Sequence, residues 1–167
     1  MKKYLSLFII TTVFASAENW PQLRGPDGAG ISMEKGLPVK WTIKDYAWQI
    51  KLPGIGHSSP IVWEDNVIVT SASQKGAQRF IECYSAATGK PVWSKTLGGE
   101  THPKHALNSY ASATPVTDGK RVFVSWGDND EFFMMAHDLQ NGKELWRTQL
   151  GVSLSDDGHG TAVSPVL

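Results

Sequence analysis

Two stretches decide how this chain folds: HSSPIVWEDNVIVTSASQKGAQRFIECYSAATGKPVWSKTLG at positions 57–98 and YASATPVTDGKRVFVSWGDNDEFFMMAHDLQNGKELWRTQLG at positions 110–151. They say nearly the same thing. Pro60 and Pro115 lie 55 residues apart, Gly89 and Gly142 lie 53 apart, and so do Trp93 and Trp146. A third opening, HGTAVSPVL at 159–167, places Pro165 a further 50 residues on. A period of this length, made of short strands and turns, predicts an array of stacked β units such as propeller blades.

Within each copy the alternation of apolar and polar residues predicts four strands. In the first they cover Pro60–Trp63, Val67–Ser71, Arg79–Ser85 and Pro91–Lys95; in the second, Ala113–Thr117, Arg121–Trp126, Phe132–Asp138 and Glu144–Thr148. Asp118-Gly119 and Asn141-Gly142 supply the positive φ angles of tight hairpins. Proline cannot donate to a ladder, so Pro60, Pro115 and Pro165, near the start of each first strand, belong at a strand's first residue or on an edge, and the innermost strand of a blade has one such edge. The expected fold class is therefore all-β: a propeller of four-stranded antiparallel blades, incomplete in this chain.

Working outward, residues 44–52 carry Trp48 and Leu52 at the spacing of Trp93 and Leu97 and of Trp146 and Leu150. Trp48 thus reads as the end of a repeat, a strand that closes the ring and removes an exposed sheet edge. A further strand is expected around Trp41–Ile43. Residues 18–40, rich in Gly and Pro, read as an ordered arm or surface loop anchored by Trp20. Lys2 and Lys3, an apolar run from Tyr4 to Phe14 and Ala15-Ser16-Ala17 form a signal-peptide pattern over residues 1–17, too short for a membrane span. The expected layout is a leader (1–17), an arm (18–40) and a partial propeller (41–167), with blades at 57–98 and 110–151 and a third beginning at 159–167. Two blades do not close a ring, so the remaining blades of a longer chain are an expected partner.

Sixteen basic and sixteen acidic residues give a formal charge of zero, and removal of the leader takes away Lys2 and Lys3. Neither value supplies the field that draws in nucleic acid or anionic lipid. Trp63, Phe123, Trp126, Phe132 and Phe133 do not alternate with basic residues as a base-stacking platform would. One cysteine, Cys83, excludes an internal disulfide and reads as a small buried hydrophobe.

The tail Ala136-His137-Asp138-Leu139-Gln140-Asn141-Gly142-Lys143-Glu144-Leu145-Trp146 resembles the tryptophan-docking repeat of pyrroloquinoline-quinone-type propellers, written A-x-D-x-x-T-G-K-x-x-W. The first copy keeps Thr88, Gly89, Lys90 and Trp93 but has Ser85 where the pattern has Asp, which makes the turn contact weaker or different there. NWPQLRGPDGAGIS, GIGHSSPIVW and NSYASATPVTDGKRVFVSWG also look like the opening of exported quinoprotein-like propellers, similar in fold to the outer-membrane-assembly propeller protein. The resemblance implies a scaffold built on Trp48, Trp93, Trp146, Gly89, Lys90, Asp138, Gly142 and Lys143, and a periplasmic or extracellular location. Dehydrogenases of this resemblance hold the quinone with Ca²⁺ and carry adjacent cysteines, calcium-binding carboxylates and a catalytic aspartate. Here Cys83 stands alone and none of those acidic positions maps onto this chain.

No catalytic set emerges. Ser58, Ser59, Ser112 and Ser164 recur with the blade and lack a nucleophile elbow. Asp128, Asp130, Asp156 and Asp157 lack the spaced oxygens of a calcium loop. His57, His105 and His159 stand three, ten and six residues before their prolines, so they are not equivalent positions and have no metal spacing. Function is expected in what does not repeat, above all residues 99–110, the arm at 19–38 and the downstream blades of a longer chain. The binding candidates are His57, Ser58, His102, His105, Asn108, Tyr110 and His159, presented at a channel mouth to a protein, glycan or small ligand. No catalytic, cofactor or metal residue is assigned; the runner-up is a quinone- and calcium-dependent dehydrogenase.

Overall fold

The computed structural model describes residues 18–128, 131–152 and 160–167. The leader and the candidates His159, Asp130, Asp156 and Asp157 lie outside the described residues. Among the described residues eight strands form: β1 (Ile61–Trp63), β2 (Asn66–Ala72), β3 (Gln78–Ser85), β4 (Pro91–Gly98), β5 (Val116–Thr117), β6 (Arg121–Asp128), β7 (Glu131–Asp138) and β8 (Glu144–Val152). They make two antiparallel meanders, β1-β2-β3-β4 and β5-β6-β7-β8. The architecture is all-β, two consecutive blades of an incomplete propeller.

The two-residue side-chain period explains how the blades stack. Ile61, Ile68, Cys83 and Trp93 stand in register across the first sheet. Together with Ile81 they pack against Val122, Val124, Trp126, Met135 and Leu139 of the second. The matching row in the second sheet is Val116, Phe123, Ala136 and Trp146. It lies on the opposite face from blade one, and its Trp146 is 39% exposed, against 8% for Trp93.

The tryptophan-bearing tails have the same turn twice. Gly89 N–H donates to Ser85 O and Gly142 N–H to Asp138 O, both at 2.8 Å. Trp93 Nε1 donates to Leu139 O at 2.8 Å, and its ring lies where a Cβ on Gly142 (φ +68°) would sit. Trp48 repeats this one blade earlier: Nε1 donates to Ala86 O at 2.6 Å and its ring covers Gly89 (φ +67°). Each tryptophan therefore docks on the turn of the following blade.

The strand expected over residues 44–52 does not form, although its tryptophan docks as expected. Ile43–Asp45 is a 3₁₀ turn, closed by a reciprocal Thr42–Asp45 capping box, which also replaces the strand expected at Trp41–Ile43. Residues 46–50 run without ladder partners, because a strand exists only where a neighbour accepts its hydrogen bonds. Isolated bridges pin the flanks, Ile55 to Ala72 and Trp20 to Val62.

Pro60 and Pro115 immediately precede β1 and β5, among the described residues no strand forms after Pro165, and a relay links the residues before the three prolines. Ser59 N–H donates to Thr114 Oγ1 and Thr114 N–H donates to Ser164 Oγ, both at 2.9 Å. The residue before each opening proline is thus tied to its counterpart in the next repeat. The arm is also ordered, but it does more than lie over the surface. Trp20 exchanges both backbone bonds with Val62 of β1 (2.8 and 2.9 Å), and Pro21 O accepts from Thr117 N–H of β5 at 2.9 Å.

Candidate functional site

Residues 99–115 connect the last strand of blade one to the first strand of blade two, and they break the repeat. Tyr110 is the hinge pin of this connector. Its hydroxyl donates to His102 O at 2.6 Å, and the His102 ring meets the tyrosine edge-on with centroids 4.9 Å apart. The Arg79 guanidinium lies 4.9 Å from the ring centroid and the Lys104 ammonium 5.5 Å. Two cations on one aromatic ring hold the loop by its quadrupole.

The loop's tip is held by local bonds. Lys104 Nζ donates to Asn108 O at 2.8 Å, Asn108 N–H to His105 O at 2.9 Å, and Leu107 N–H to His105 Nδ1 at 3.1 Å. Asn108 Oδ1 accepts from Ser109 N–H at 2.8 Å and from the Ser112 hydroxyl. His57 and Ser58 join from the other side, since both their N–H groups donate to Ala111 O. The structure thus brings His57, Ser58, His102, His105, Asn108 and Tyr110 to one loop mouth. At its tip Leu107 is 82% exposed.

Ser58 is engaged in the fold. Ser58 Oγ donates to Thr70 O at 3.0 Å and accepts from Thr70 Oγ1 at 2.8 Å, so it braces the strand. Among the described residues no three His, Cys, Asp or Glu side chains gather to hold a metal ion. Cys83 is buried between the blades, and burial first, then the Asp65 charge, pushes its thiol up to about 12. Cys83 is a free thiol, and the described residues assemble neither paired cysteines nor a cluster of metal-ligating side chains.

Arg79 was not a site candidate by sequence, because a strand arginine normally faces water. Here its side chain is 3% exposed and reaches Gly76 O, Glu100 O and Gly127 O, with Asp128 Oδ1 at 3.4 Å. Burial pulls the guanidinium below its ordinary value, while Asp128 and Tyr110 pull it back. Asp128 in turn accepts Glu100 N–H at 2.7 Å, which ties the connector to blade two. Beside Arg79 a cavity of about 120 Å³ opens between the blades, walled also by Trp126, Phe133, Met135 and Arg147.

A family model described as outer membrane protein assembly factor BamB matches residues 45–167. The chain belongs to that family. Its two sheets and docked tryptophans are therefore blades of a quinoprotein-type propeller, as the repeat implied. Among solved structures, BamB from Moraxella catarrhalis is 18% identical over 61% of this chain and 26% of its own, with a TM-score of 0.44. A quinohemoprotein alcohol dehydrogenase from Pseudomonas putida is 23% identical over 54% of this chain and 12% of its own (TM-score 0.38). A europium-containing methanol dehydrogenase is 15% identical over 55% of this chain and 15% of its own (TM-score 0.39). This family member thus spans about a quarter or less of each of these solved chains. No curated protein matches it. No helix among the described residues is long and apolar enough to cross a membrane.

Proposed function

We propose that this chain is part of an exported, periplasmic propeller scaffold, with residues 99–112 as the surface that holds a protein partner. The observation that carries this reading is Leu107, an exposed apolar side chain at the tip of a connector fastened by Tyr110, Arg79 and Asp128. An exposed anchor on a preorganised loop binds at low entropic cost. The family supports a scaffold in place of an enzyme, and export rests on the leader pattern with the family's membership.

A photo-crosslinking amino acid placed at Leu107 of the intact protein tests the reading. Protein adducts are expected there and not at Gln149 on the outer strand; equal labelling at the two positions removes the loop from the interface. The same reading has no quinone chemistry in it. Adding pyrroloquinoline quinone with Ca²⁺ is expected to leave the cofactor spectrum unchanged, and alcohol- or sugar-dependent dye reduction would overturn the non-catalytic assignment.

A further inference from the structure

Val62, Thr117 and Leu167 are the same position of three successive repeats, each two residues after its opening proline. Each N–H is taken by the arm. Val62 donates to Trp20 O at 2.9 Å, Thr117 to Pro21 O at 2.9 Å, and Leu167 to Gln22 Oε1 at 3.4 Å. One residue of arm serves one blade. A fourth bond, Glu64 N–H to Asn19 Oδ1 at 2.7 Å, extends the row.

The chemistry of the arm suits the task position by position. Trp20 bridges β1 with both its donor and its acceptor. Proline at 21 lacks an N–H, and at that place only a carbonyl is used. At 22 a side-chain amide oxygen replaces the main chain. Gln22 Nε2 donates to Pro26 O at 3.2 Å, which fixes the amide so that its oxygen faces Leu167. Gln22 is buried, and Trp20 folds over Gly25, where φ is +82° and a Cβ would strike the ring. Acceptors at four consecutive residues therefore meet donors on three blades.

We propose that the open edges of the inner strands form a receptor slot for an extended, acceptor-rich peptide, and that residues 19–22 are its built-in occupant. The slot does not depend on the scaffold reading, because it rests on backbone groups remote from residues 99–110. A competing peptide would need an N–H at its first position, none at its second and an amide oxygen at its third.

The test uses the intact protein with residues 19–30 deleted and a synthetic peptide, NWPQLRGPDGAG, supplied in trans. The peptide is expected to bind the deletion protein saturably and not the native protein. It should slow hydrogen exchange at Val62, Thr117 and Leu167 at least tenfold, and a peptide with Pro in place of Trp20 should bind at least tenfold more weakly. Absence of binding, with the three amides exchanging as in the native protein, overturns the slot. Should the deletion fail to fold, Trp20→Pro/Gln22→Ala in the full chain replaces it. Faster exchange at Leu167, whose acceptor Gln22→Ala removes, with β3 and β7 unchanged supports the slot; unchanged exchange at Leu167 sinks it.

Discussion

Ser85 shows how one departure from a repeat is absorbed. In blade two Asp138 Oδ1 accepts from Gln140 N–H and Asn141 N–H at 2.9 and 3.2 Å. In blade one Ser85 Oγ reaches only Thr88 N–H at 3.2 Å, and Asp65 Oδ1 takes Ala87 N–H at 2.8 Å from the neighbouring turn. The contact is different, as the substitution implied, and a carboxylate still serves the turn. Two buried ionisable groups set a pH dependence of stability. Burial raises Glu82, an effect its Tyr84 bond only partly offsets, and burial lowers His137 against its bond to Gly142 O. Glu82 thus contributes stability that is complete below its unfolded value of 4.5 and lost as pH rises through the higher folded value. His137 contributes stability that is complete above 6.5 and lost as pH falls through its lower folded value. Glu82→Gln is therefore expected to raise the melting midpoint at pH 8 by about 2–4 °C, on the order of 1 kcal/mol, with little change at pH 4. Thermal melts at both pH values check it, and an equal shift at both would refute the titration.

At the level of elements, the strand order, turns and blade faces were readable because period-two alternation and Asp-Gly or Asn-Gly turns are local signals. What escaped was contextual. Residues 44–52 have strand-like composition, but a ladder needs a neighbour, and among the described residues none lies beside them. Arg79 sits in an alternating strand where nothing in the spacing announces four carbonyl and carboxylate acceptors, at Gly76, Glu100, Gly127 and Asp128. The arm's acceptors are main-chain carbonyls and amide side chains, which leave no compositional mark beyond Trp20. Trp48 itself docks as the repeat implied. Trp48→Phe keeps most of the ring and leaves Ala86 O without its donor, at a cost of about 1–2 kcal/mol. Urea unfolding should show a lower midpoint; an unchanged midpoint would mean the docked ring does not help to hold blade one.

For the whole molecule, the blades are joined less by loops than by a core between sheets and by bonds that cross from repeat to repeat. Thr114 is central to these: buried, it accepts from Ser59 and donates its own N–H to Ser164. Thr114→Val keeps the shape and strands the Ser59 N–H, with an expected loss of about 1–3 kcal/mol. The loss should appear as faster exchange at Ser59 with Thr114 itself still protected. If Ser59 stays protected, the hydroxyl is not its partner in solution.

That relay also has a direction in time. Every bond in it runs from an earlier repeat to a hydroxyl carried by a later one, so a blade's opening amide is satisfied only by a residue synthesised some 50 residues afterwards. In a chain emerging from its N-terminus, Ser59 N–H therefore waits for Thr114, and Thr114 N–H for Ser164. In these two bonds the later repeat completes the one before it.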